Sequence, residues 1–221
     1  MTRRILLLEL LVTAAALAVA AFMWPHLPAL IPTHWDAHMR VNGYSPRWAI
    51  FLVGPGSMAA TMLLTAAQPW LSPRRFSVDA FQATYRRVML ILFALVTWLY
   101  ALMFWSALGH RVDAGRTVLG GICLFIALIG NLMGKVRRNF FIGVRTPWTL
   151  ANERVWNATH RFAAKTFVAG GLVGLALTIV GLNGWALAGL LTGALAPVVY
   201  SLVNYKQLER RGELSEPLLP G

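Results

Sequence analysis

The chain has 221 residues, 57% of them hydrophobic and only 13% charged, with a mean hydropathy of +0.60. A soluble domain of this size carries about 25% charged residues, so a water-soluble globular fold is excluded. The formal charge of +12 does not point to nucleic acid, because the basic residues sit at the ends of uncharged stretches and no polar domain exists to track a phosphate backbone.

Crossing a hydrocarbon core of ~30 Å takes ~20 apolar residues of helix. Six segments qualify: 5–24, 48–70, 88–108, 117–134, 166–183 and 185–204. Trp24, Trp48, Trp70, Trp185 and Tyr205 mark segment ends, where interfacial aromatics belong. The first segment follows Arg3 and Arg4 and loosely resembles a cleavable leader, but Glu9 and the apolar run up to Trp24 argue that it is retained. The predicted architecture is therefore an all-α membrane protein: a bundle of six transmembrane helices in one domain, 1–209, followed by a short mobile tail, 210–221.

Alternate connections carry 16 and 4 of the basic residues. The positive-inside rule then places both termini, the second loop and the fourth loop in the cytoplasm.

The first connection, from Pro25 to Arg47, is expected outside. Its early prolines forbid a long helix. His34 and His38 are four residues apart, a spacing that places two metal ligands on one helical face, but Trp35 stands where a metalloprotease has its glutamate. Local hydrogen bonding at the headgroup level is the expected role of these histidines, with no metal and no cofactor. Glu9 is the only acidic residue within a span, and is expected to reach the interface or pair with a loop arginine. Gly54-Pro55-Gly56 predicts a kink in the second span. Asn131, near the end of the fourth, is expected to hydrogen-bond a neighbouring helix.

The fourth connection, 135–165, is the longest. Lys135, Arg137 and Arg138 are suited to anionic lipid headgroups, at about 1 kcal/mol each. Gly143 permits a tight turn. Thr146-Pro147 reads as an N-cap followed by proline at the first helical position. An amphipathic cytoplasmic interfacial helix is predicted to follow. Trp148, Val155, Thr159 and Phe162 fall on its apolar face; Asn152, Glu153, Asn157, His160 and Arg161 fall mostly on the other. Arg145 is expected to pair with Glu153 or Glu9, or to serve a binding surface.

The run GNLMGKVRRNFFIGVRTPWTLANERVWNATHRFAAK, 130–165, closely resembles the signature of the SdpI family of bacterial membrane immunity proteins. Asn131, Asn139, Gly143, Arg145, Thr146, Pro147, Trp148, Thr149, Asn152, Trp156, Thr159, His160 and Arg161 fill its positions, while Arg138 stands where the family pattern has proline. The first loop is similar to an N-terminal domain of unknown function common in that family, through Pro32, His34, Trp35 and Arg47, with Asp36 in place of asparagine. The resemblance implies a non-enzymatic membrane protein that resists or senses a secreted peptide toxin. In some members it implies holding a soluble transcriptional repressor at the membrane through the cytoplasmic loop. The remaining partner is the lipid bilayer with its anionic headgroups; nucleic acid is not bound directly. A small-solute transporter or channel is the alternative, through Glu9, Asn131 and the Gly54-Pro55-Gly56 break. A metal-dependent membrane enzyme using His34, Asp36 and His38 is a further one.

Overall fold

The fold is described from a computed structural model, over residues 3–36, 40–73, 77–110 and 113–214. His38, Arg74, Arg75, Arg111 and most of the predicted tail lie outside the described residues. The helices are α1 (Arg3–Met23), α2 (Ala49–Phe51), α3 (Ser57–Leu71), α4 (Gln82–Ala107), α5 (Ala114–Met133), α6 (Pro147–Ala151), α7 (Glu153–Ile179) and α8 (Asn183–Arg210). Six helical stretches are long and apolar enough to span a membrane. Their outward faces carry large bare hydrophobics such as Leu11, Leu63, Leu172 and Val199. Water does not tolerate such continuous apolar surface, whereas lipid does.

The second span is made of two pieces. A π-helical turn, Leu52–Gly56, joins α2 to α3 and contains Pro55. The missing proline N–H breaks the regular ladder, so the Gly54-Pro55-Gly56 stretch takes the wider π-helical turn. The ring of Tyr100 occupies the space a side chain at Gly54 would need, and its hydroxyl donates to the Ala16 carbonyl at 3.2 Å. The turn between the last two spans centres on Gly181, at φ 84°, and α8 already begins at Asn183.

The first connection contains strands that the proline-rich sequence conceals. β1 (Leu30–Trp35) and β2 (Val41–Pro46) form an antiparallel hairpin. Its register slips around His34, so Pro32 can occupy a strand that is not extended by further pairing. Ile31 and Leu27 pack with Ile50, Met58, Phe93, Tyr100 and Met103 in one core. A second core lies at the other end of α4. There Phe81, Tyr85, Val88 and Met89 meet Leu132, Met133, Val136, Val144 and Trp156. The hairpin and the 135–165 segment therefore cap opposite ends of the bundle. The most extensive packing is among α5, α7 and α8. Gly130 permits the α5–α7 approach, because a methyl group there would lie 2.8 Å from the Val168 backbone nitrogen.

Candidate functional site

The stretch expected to form one amphipathic helix is divided. α6 ends at Ala151, Asn152 is extended, and α7 continues without interruption into the fifth span. Two adjacent N-caps explain the break. The Thr146 hydroxyl accepts the Thr149 N–H at 3.2 Å, and the Thr149 hydroxyl oxygen accepts the Thr146 N–H at 2.9 Å. This is a capping box in which threonine takes the place of the usual Glu or Gln. Asn152 then caps α7 by accepting the Val155 N–H at 3.1 Å.

Before α6 the chain folds back on itself around Asn139, which is fully buried. Its Nδ2 donates to the carbonyls of Arg137 at 2.7 Å and Ile142 at 3.1 Å. Its Oδ1 accepts the N–H groups of Phe141 at 2.7 Å and Ile142 at 2.9 Å. One asparagine thus satisfies four backbone groups of a loop that has no regular ladder. Gly143 follows with φ 111°, a conformation side chains resist. A Cβ there would also lie 2.3 Å from His160 Nε2.

His160 joins this loop to α7. Its Nδ1 lies 2.8 Å from the Trp156 carbonyl and its Nε2 lies 3.0 Å from the Val144 nitrogen. A carbonyl only accepts and an amide N–H only donates, so Nδ1 carries the proton and the ring is neutral. The imidazole stacks on the Trp156 ring with centroids 4.0 Å apart, and the indole N–H donates to the Val136 carbonyl at 2.8 Å. The Thr149 hydroxyl donates to the Val144 carbonyl at 2.8 Å, so both backbone groups of Val144 are held. Thr146 and Ser201 place their hydroxyl oxygens 3.0 Å apart, tying the segment to α8. The result is a latch joining α5, α6, α7 and α8 at one end of the bundle.

Several sequence expectations change. His160 and Thr159 are buried, not divided between two faces, because the loop covers the side of α7 that would otherwise face water. Thr159 has a buried hydroxyl with no partner among the described residues. Asn131 lies exposed on α5, and among the described residues it bonds to no neighbouring helix. Arg145 is exposed and donates to the Phe140 carbonyl, closing the loop on itself. Pro147 and Arg161 are exposed, and Trp148 is half-buried. Arg138 donates to the Leu150 carbonyl at 3.3 Å and helps brace α6, whereas Lys135 and Arg137 are exposed. Glu9 is buried in α1, one turn from Thr13, whose hydroxyl lies 3.7 Å from the Met62 sulfur of α3. It forms no ion pair among the described residues, so the expected pairing with a loop arginine is not found there. Val144 and Ser201 are the latch members that side-chain chemistry did not flag. Val144 contributes only its backbone; Ser201 could have been noticed as a hydroxyl among apolar neighbours.

In the hairpin, Pro32 is buried opposite Tyr44, and Trp35 pairs with Val41. His34 sits on a strand, so the helical spacing to His38 does not apply. Its Nδ1 lies 2.6 Å from Asn42 Oδ1. Asp36 accepts the Arg40 N–H at 2.9 Å and also pairs with the Arg40 guanidinium. Among the described residues no three His, Cys, Asp or Glu side chains gather where they could hold a metal. Arg47 lies over the Trp24 ring, 4.6 Å from its centroid, fastening the hairpin to the end of α1.

Six apolar helices capped at one end by a hairpin and at the other by a buried polar latch define a multi-pass membrane protein. Residues 135–201 match the SdpI/YfhL protein family, and residues 11–55 match a domain of unknown function, DUF1648. The chain thus carries an SdpI/YfhL family segment at the latch end and a DUF1648 segment running from α1 through the hairpin. It is 25% identical to the immunity protein SdpI of Bacillus subtilis over 167 residues, covering 76% of this chain and 78% of the relative. No solved structure matches.

Proposed function

We propose that this protein confers resistance to, or senses, a secreted peptide toxin at the bacterial membrane, with the latch facing the cytoplasm. The observation that carries this reading is the family match over residues 135–201, the stretch holding most of the latch. An apolar cavity of about 590 Å³ lies between α4 and α5, lined by Leu95, Trp98, Gly121 and Leu124, and suits an apolar peptide arriving through lipid. α4 contributes to the cores beneath both the hairpin and the latch. A ligand that moves α4 would therefore bias the packing under Val144 and Trp156, and so the exposure of the loop. A soluble repressor would dock on the exposed loop surface around Arg145 and Trp148.

Deleting the gene should sensitise cells to a secreted peptide toxin, and the wild-type chain should restore survival. Unchanged survival across a panel of membrane-active peptide toxins would refute the reading. Pull-down from membrane extracts, comparing wild type with Arg145→Ala and Trp148→Ala, tests the repressor separately. A soluble protein retained only by the wild type supports it, and the same proteins retained by all three count against it.

A further inference from the structure

Beside the latch is a second, differently built feature: an open polar cavity of about 600 Å³ where the start of α4 meets the end of α5 and the first turns of α7. Lys135, Arg137 and Arg161 line it with Asn157 and Gln82. Three cations from two separate elements converge here, and among the described residues none of the three forms an ion pair. The single acidic residue in the lining, Asp79, accepts the Ser77 hydroxyl at 2.5 Å. A 3-10 turn, Asp79–Phe81, leads into α4, and its Asp79 carbonyl accepts the Gln82 N–H, so the first amide of α4 is already bonded. Three cations around a concave surface suit a multivalent oxyanion.

We propose that this cavity binds a phosphate group, either the headgroup of an anionic phospholipid or a soluble phosphate. It is distinct from the latch, and its occupancy does not depend on the toxin reading. Arg138, adjacent in sequence, is excluded because it braces α6. Arg161, remote in sequence, is recruited because α7 begins immediately after Asn152 and brings its third turn against the end of α5.

The test uses the full-length chain in nanodiscs. Native mass spectrometry counts phosphatidylglycerol retained from mixed phosphatidylcholine discs, and calorimetry measures inorganic phosphate binding in phosphatidylcholine discs. The Arg137→Gln/Arg161→Gln pair should retain phosphatidylglycerol, or bind phosphate, roughly tenfold more weakly than wild type. The Arg137→Lys/Arg161→Lys pair should keep most of the binding. Arg154→Gln, which removes an arginine bound to Glu213 at the same end of the bundle, should behave as wild type. Loss in the lipid arm alone assigns the site to a headgroup; loss in the phosphate arm alone assigns it to a soluble ligand. Equal binding by wild type and the glutamine pair in both arms overturns the site, as does an equal loss in Arg154→Gln. Should the glutamine pair fail to fold, Lys135→Gln against the lysine pair makes the same comparison.

Discussion

Val144 and His160 are sixteen residues apart, yet the amide of the first donates to the Nε2 of the second across 3.0 Å. The histidine is a fixed acceptor inside the bundle end, with both ring nitrogens used. This bond links a glycine turn to a membrane helix and gives the latch its most exacting geometry.

Gly143→Ala should be among the most damaging small substitutions in the chain. The added methyl meets His160 Nε2 at 2.3 Å, and φ 111° is itself strained for any side chain. Strain of this kind costs about 1–3 kcal/mol before the clash is counted. Thermal unfolding in detergent should show a clear drop in midpoint. A midpoint equal to wild type would mean that the turn is not built as described.

His160→Ala removes the acceptor for a buried amide and leaves a void beside Trp156. An unsatisfied buried donor costs about 1–3 kcal/mol, and the lost packing adds to it. Hydrogen exchange should accelerate in peptides covering 141–149, with α1 and α3 unchanged. Protection that survives the substitution would show that Val144 is held by something else.

Thr146 and Ser201 supply the tie to α8. Thr146→Val removes both this contact and the α6 cap, and should cost about 1–2 kcal/mol; Ser201→Ala should cost less. The two substitutions touch one interaction, so the double variant should be less destabilised than the two singles added together. Additive unfolding energies would break the proposed link.

The six spans were legible because hydropathy reports directly on solvent, and lipid leaves few alternatives to helices. The start of α6 was legible as well, since Thr146-Pro147 encodes its cap locally. The hairpin was not, because Pro32 reads as a breaker and its strand depends on pairing with residues up to sixteen positions away. The side of α7 carrying His160 was misread for a related reason. Periodicity labels a histidine polar and solvent-facing, whereas here a distant backbone N–H and its own helix's carbonyl satisfy it inside the protein. Resemblance identified Asn139 and Gly143 as part of the pattern. Their physical roles, saturating four backbone groups and making room for an imidazole, required coordinates.

Sidedness decides whether the latch can communicate with the cell interior, and cysteine labelling reads it directly. Cys123 is buried and can be replaced by alanine, leaving single reporters at the exposed positions Tyr44→Cys in the hairpin and Ala151→Cys in α6. In intact cells a membrane-impermeant maleimide should modify the Tyr44→Cys protein and leave the Ala151→Cys protein untouched until the inner membrane is opened. Modification of Ala151→Cys in sealed cells would put the latch on the outer face, and the cytoplasmic role proposed for it would fall.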